Sequence, residues 1–303
     1  MEPVVVTPVA ADDAAAVAEL VAALESSLYG PSTFSQADLE DEWSDLDLDE
    51  DARVVRDGGR IVGYGAVRAG GELWRADGYV HLDALGRGIG TLIATELEEV
   101  AARRGARRIQ NHVLEADAAA RRLLESLRYG AVRVFREMRI DLQAPPPAPN
   151  WPEGLRVVAF EPERDAREFH LACEEAFADA WDHAPRDFER WSRLHLGGER
   201  FDPGLWCVVR AGDEIAAGAI STGDTYGGGF VHALFTRRPW RRQGVGAALL
   251  DDAITRFWER GERSVGLGVD AESATGAFRL YERAGMTPAL GWVAYEKRLG
   301  DPA

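Results

Sequence analysis

Apolar and polar positions along this chain change period in a fixed order, and they do so twice. Residues 4–8 read as a short strand. Residues 11–27 read as an alanine-rich helix, opened by Asp12 and Asp13 as the helix dipole prefers. A second helix is expected from Ser35, where Ser35-Gln36-Ala37-Asp38 resembles a capping box. An acidic tract follows, interrupted by Trp43, Leu46 and Leu48, so it is expected to lie ordered against the body. Strands at 52–57 and 60–68 flank an Asp-Gly-Gly turn, a hairpin signal. A third strand covers 72–82, and a glycine turn at 85–91 opens a helix to about residue 104. A strand (108–114), a helix (117–127) and a long strand (132–142) complete the half.

Residues 143–152 (QAPPPAPNWP) interrupt the pattern. Proline donates no backbone hydrogen bond and stiffens the chain, so this stretch reads as a linker. The pattern then restarts. It predicts a strand at 155–159, helices at 164–178 and about 186–196, and strands at 205–210, 214–221 and 229–236. A helix at 244–260, a strand at 264–269, a helix at 274–284 and a strand at 293–297 follow. The order βααβββαβαβ therefore occurs twice. RGIGTLI at 87–93 matches QGVGAAL at 243–249, the mark of internal duplication. The expected organisation is an N-terminal domain at 1–142, a linker at 143–152 and a C-terminal domain at 153–303.

Composition narrows the function classes. The 303 residues are 46% hydrophobic, enough for two sizeable cores. Lys and Arg total 35 against 51 Asp and Glu, a net charge of -16. Such a chain repels phosphate, so it is not expected to bind nucleic acid. It tolerates a cationic partner. Cys173 and Cys207 are far apart, and the six His make no metal-binding spacing, so no metal is expected. No stretch reaches the roughly 18 apolar residues of a membrane span. A cytoplasmic protein, monomer or homodimer, is the expectation.

The richest stretch is TRRPWRRQGVGAALL, 236–250. It reads as a strand end, a glycine turn and the start of a helix. Gly244 and Gly246 leave backbone N–H groups free to converge on one anion, at the positive end of the helix. Arg241, Arg242 and Gln243 add donors. No Gly-Lys-Ser/Thr follows, and the spacing is not Gly-x-Gly-x-x-Gly, which argues against nucleotide-hydrolysing and dinucleotide loops.

This loop, with VDAESATGAFRLYERAGM at 269–286, resembles the GNAT superfamily of acyl-CoA N-acyltransferases, whose loop motif is Gln/Arg-x-x-Gly-x-Gly/Ala. The tandem arrangement, the proline stretch and AFADAWDH at 176–183 resemble the two-domain actinobacterial members that include mycothiol synthase. The resemblance implies an α/β (α+β) chain of two tandem GNAT folds, each a mixed, mostly antiparallel sheet flanked by helices. It implies acetyl-CoA as cosubstrate and a primary amine of a small molecule as acceptor; the acidic balance of the chain favours a cationic one. Pyrophosphate would rest on the amides of Arg242, Gln243, Gly244, Val245, Gly246 and Ala247, and pantetheine would follow Leu234, Phe235 and Thr236. Ser273 stands where the family has Asn, and Ala277 lies on the same CoA-facing helix. Tyr281 falls on the family's general acid, since a phenol stays protonated at pH 7. His232 is the one titratable group on the strand before the loop and is the candidate base, placed by alternation on the face of Leu234 and Thr236. Asp182, His183 and Glu272 are further candidates acting through water.

The first half retains Gly86, Arg87, Gly88, Ile89, Gly90 and Thr91 as a second candidate CoA loop. It has Leu85 for the first loop residue and Leu124 at the Tyr281 position. Leucine donates no proton, so this half is expected to be catalytically silent. Two other readings stay open: a non-catalytic acyl-CoA-binding scaffold or regulator, and a protein N-acetyltransferase.

Overall fold

The computed structural model describes residues 4–300 except 31, 33, 199, 226 and 274. In the first half the elements are β1 (Val5–Pro8), α1 (Ala14–Tyr29), α2 (Gln36–Trp43), α3 (Leu48–Asp51), β2 (Ala52–Asp57) and β3 (Arg60–Arg68). Then come β4 (Leu73–Val80), α4 (Ile89–Arg103), β5 (Arg108–Leu114), α5 (Ala118–Ser126) and β6 (Gly130–Asp141). The second half begins with β7 (Leu155–Val158), α6 (Pro162–Phe177), α7 (Phe188–Leu196), β8 (Cys207–Ala211) and β9 (Glu214–Thr225). It ends with β10 (Gly228–Thr236), α8 (Val245–Glu259), β11 (Ser264–Asp270), α9 (Ala277–Arg283) and β12 (Thr287–Arg298).

Local signals explain most of these boundaries. Ser35 Oγ accepts from the Asp38 N–H and the Asp38 carboxylate accepts from the Ser35 N–H, the reciprocal cap expected for α2. Asp117 caps α5 by accepting from the N–H groups of Ala119 and Ala120. The acidic tract contains one feature the pattern did not show, the single turn α3. Helix α9 is shorter than expected because Gly276, left-handed at φ 76°, starts it. Ala274, expected as its first residue, lies outside the described residues.

The chain forms two compact units. One comprises Met1–Val134 with Leu290–Ala303, and the other comprises Phe135–Ala289. This differs from a cut at the proline-rich stretch, which lies inside the second unit, with Trp151 packed on that unit's core. The reason is strand exchange. Each half ends in a long strand, and the end of β12 pairs with β5 while the end of β6 pairs with β11. A period-two pattern identifies a strand but carries no information on its partner.

In the first unit the strand order is β1-β2-β3-β4-β5-β12, with β4–β5 parallel and the other pairs antiparallel. One face carries the core under α4, including Ile93, Leu97 and Ile109, and the other the core beneath α1 and α2, including Leu39 and Tyr64. In the second unit the order is β7-β8-β9-β10-β11-β6, with β10–β11 parallel. Helix α8 buries Val245, Ala248, Leu249, Ala253 and Phe257 on one face of that sheet, a spacing that follows the helical repeat. Helices α6 and α7 bury Phe169, Cys173 and Trp191 on the other. Each unit is thus the mixed, mostly antiparallel sheet between helices that the resemblance implies.

One irregularity positions the site. Strands β10 and β11 pair only from Gly229↔Val265 to Val231↔Leu267. On its other side β10 stays paired with β9 as far as Thr236↔Ala217. One edge of residues 232–236 is therefore open, and the sheet splits beside it. Strands β4 and β5 likewise pair over three positions, ending at Arg75↔Gln110.

Candidate active site

The glycine turn is built by backbone conformation. Gly244 caps α8 in the left-handed region, φ 86°. A side chain there meets no atom within 4 Å, so backbone strain rather than space favours glycine. The first N–H groups of a helix have no intrahelical acceptor, so those of Val245 and Gly246 are left for a ligand. The N–H of Ala247 is not: it bonds Gly244 O at 3.1 Å.

The side chains of this loop divide their roles differently from the sequence expectation. Arg241 is committed internally, with Nε to Thr236 O at 3.0 Å, Nη2 to Ala176 O at 2.8 Å and Nη1 to Asp179 at 3.3 Å. Gln243 Nε2 donates to Pro239 O at 2.8 Å. Both brace the turn instead of presenting donors to an anion. Asp179 also accepts from Arg238, so the turn is tied to the end of α6. Arg242 remains. Its φ is 60°, a strained value for a non-glycine residue costing on the order of 1 kcal/mol, and its exposed guanidinium has no partner among the described residues.

Thr236, Gly246 and α9 meet at this point. A Cβ on Gly246 would lie 3.5 Å from Leu280 Cδ2 and 3.9 Å from Thr236 Oγ1. Leu234 packs against the core under α8, and Phe235 on the opposite core with Phe169. Ala277 packs on the α8 side. Ser273 Oγ is 2.9 Å from Thr275 Oγ1 and shapes its own turn. Tyr281, on α9, is 6% exposed, and burial alone pushes its pKa up to about 12. Its hydroxyl has no hydrogen-bond partner among the described residues, so it is a protonated donor with its bond unspent.

His232 is not on the face of Leu234. The β9–β10 register shifts between Val231 and Ala233, so His232 occupies a β-bulge and the alternation breaks there. Its Nε2 lies 2.7 Å from Thr222 Oγ1 and its ring 5.1 Å from that of Phe230. It faces the side of α6 and α7. Surrounding protein, then the Arg200 charge, pulls its pKa down to about 4, although the ring keeps an exposed face. It is neutral at pH 7. Of the other candidates, His183 Nε2 is held 2.9 Å from Glu174 Oε2, Asp182 has a left-handed φ of 50°, and Glu272 is exposed in the turn after β11.

His195 on α7, between Trp191 and Trp206, shares this environment. Burial first, then the charges of His232, Arg186 and His170, lower its pKa to about 4. Its neutral form is favoured by folding, so its contribution is complete above about pH 6.5 and is lost as pH falls toward 4. Allowing for partial exposure, the loss is on the order of 2 kcal/mol. Thermal melts from pH 7 to 4 should show the midpoint falling across this window, with a shallower fall in His195→Gln.

The first unit has the same turn with different chemistry. Gly88 caps α4 at φ 81°. Arg87 is paired with Asp57 at 2.6 Å, Leu85 is exposed and Leu124 is buried. A Cβ on Gly90 would lie 2.9 Å from Leu123 Cδ2, a tighter fit than at Gly246. Ile89 is buried and Thr91 exposed in the first turn of α4. The β3–β4 register runs from Gly63↔Val80 to Arg68↔Arg75 without a shift, so the bulge of β10 has no counterpart. Only registers reveal this difference, and no sequence signal marks it.

Comparison with known proteins agrees with this geometry. The model of the acetyltransferase (GNAT) family matches residues 17–129 and 164–286, one segment per repeat. A protein of Thermobispora bispora named mycothiol acetyltransferase is 33% identical over 193 residues, 59% of this chain and 62% of that protein. The chain thus spans somewhat under two thirds of that relative. A protein of the same name from Acidothermus cellulolyticus is 31% identical over 246 residues, 70% of this chain and 72% of that protein. The crystal structure of a GCN5-related N-acetyltransferase from Sphaerobacter thermophilus superposes with a TM-score of 0.82 at 34% identity, covering 99% of this chain and 96% of that one. With its glycine turn and split sheet present in both repeats, the chain belongs to the acetyltransferase (GNAT) family.

Proposed function

We propose that this protein transfers an acetyl group from acetyl-CoA to a primary amine of a small molecule, with the chemistry in the second unit. The observation that carries the reading is the coincidence there of three features: the free N–H groups at Gly244–Gly246's helix start, the open edge of β10, and the unpartnered Tyr281 hydroxyl. The names of the curated relatives support small-molecule acetyl transfer.

In this reading the N–H groups of Val245 and Gly246, with the Arg242 guanidinium, hold the pyrophosphate. The pantetheine arm adds to the open edge at residues 234–236 as an extended strand would. A backbone N–H on that edge polarises the thioester carbonyl. The unprotonated amine nitrogen bonds the carbonyl carbon, the carbon–sulfur bond breaks, and Tyr281 protonates the departing thiolate and then regains its proton from solvent. A pKa near 4 makes His232 a weak base. Its role is to accept the amine's proton and release it to solvent through the exposed ring face. The first unit is silent in this scheme: it lacks the bulge and the phenol, and Arg87 is neutralised by Asp57.

The test is CoA release by the purified full chain, given acetyl-CoA and a panel of small primary amines. One acetylated amine per CoA released is expected. Binding of CoA with no release for any amine would favour the non-catalytic scaffold reading.

A further inference from the structure

The second unit receives from β6 a carboxylate that the loop and helix motifs do not supply. Alternation sets its face. Met138 and Ile140 pack into the core under α8, so Phe135, Glu137 and Arg139 project from the opposite face, that of α6 and α7. The ring of Phe135 lies 5.9 Å from that of Trp181, just after α6, as this requires.

Register places these side chains against β10 and β11. Phe230, Gly266 and Arg139 lie side by side on the three strands. A Cβ on Gly266 would be 3.0 Å from Arg139 Nη2 and 3.1 Å from Phe230 Cδ2, so those side chains close over that glycine. Two residues along, Gly268 is opposite Glu137, and β10 has reached the bulge at His232. Here the surface stays open. A Cβ on Gly268 would meet nothing within 4 Å, and Gly268 is exposed between buried Leu267 and Val269. A glycine that solvent reaches in a strand interior leaves the backbone open to close approach, here as the floor of the space beside Glu137.

Glu137 stands beside that floor, 5% exposed. Arg139 donates to its Oε1 from Nη2 at 2.7 Å and from Nε at 3.0 Å. Its Oε2 has no partner among the described residues. A carboxylate accepts at both oxygens, so one face of this group is anchored and the other is available.

We infer that Glu137 is the acceptor-binding carboxylate, its Oε2 receiving the amino group of a small cationic amine in the space over Gly268, across from His232; the group binds as the ammonium and becomes the nucleophile once that proton is lost to solvent. The inference rests on the acetyl-transfer reading of the same unit and adds the class of acceptor. It also gives strand exchange a consequence, because the residue that selects the acceptor is encoded in the first repeat.

The test is calorimetric titration of ethanolamine, putrescine and glucosamine into full-length protein saturated with CoA. At least one should bind the wild type. Glu137→Gln, which can still accept from Arg139, should weaken that binding at least tenfold, with partial recovery in Glu137→Asp and CoA affinity within twofold. Gly268→Ala keeps the charge but fills the floor, and should weaken amine binding without lowering the melting temperature. Equal amine affinity in wild type and Glu137→Gln, or no binding of any of the three amines to the wild type, overturns the inference. Amine binding that depends on Glu137 in a protein that never releases CoA would instead count against the acetyl-transfer reading.

Discussion

Replacing Tyr281 by Phe is expected to lower kcat about 10²–10³-fold and leave CoA affinity within twofold. The two side chains differ by one hydroxyl. That hydroxyl makes no hydrogen bond among the described residues, so its removal orphans no partner and costs little stability. What disappears is the proton for the leaving thiolate. Because burial raises the phenol to a pKa of about 12, Tyr281 stays protonated through pH 10, and the wild-type rate should show no loss from its ionisation below that. Steady-state kinetics with calorimetry of CoA binding checks both parts. A variant that turns over like the wild type removes Tyr281 from the mechanism, and a variant that loses CoA affinity makes it a packing residue.

Gly244→Ala and Gly88→Ala form the second pair. The two glycines have nearly the same backbone, φ 86° and 81°, and neither position has an atom within 4 Å of an added Cβ. Alanine in the left-handed region costs about 1–2 kcal/mol at either site, so both variants should lose comparable stability. Function should separate them. In the second unit the strained turn no longer aligns the N–H groups of Val245 and Gly246, and KM for acetyl-CoA should rise about tenfold or more. In the first unit KM should stay within twofold. Equal kinetic effects would show that both units serve the reaction. A kinetic effect in Gly88→Ala alone would move the chemistry to the first unit.

The two copies of the fold, the glycine turns and Tyr281 are legible in the sequence because their signals are local. A left-handed glycine before a helix, an Asp or Ser cap and an apolar stripe act within a few residues of themselves. Side chains that reach across the fold are not legible in this way. Arg241 and Gln243 look like anion ligands in a basic loop, yet backbone carbonyls at Thr236, Ala176 and Pro239 claim them. His232 looks like a neighbour of Leu234 by alternation, yet one extra residue in β10 turns it to the other face. Glu137 sits in FREMRID, within the strand expected at 132–142, and only pairing with β11 buries it beside an exposed glycine.

By itself, then, the sequence determined that the chain repeats one βααβββαβαβ unit, that both repeats hold a glycine turn opening a helix, and that only the later repeat has a phenol at the Tyr281 position. Tertiary structure decided which strands complete each sheet, where the register slips and which charged groups are spent on one another. The division is physical. Helix caps and turns are set by dihedral preferences of adjacent residues, whereas strand partners, bulges and ion pairs are chosen among segments far apart in the chain, and that choice is settled only when the chain has packed.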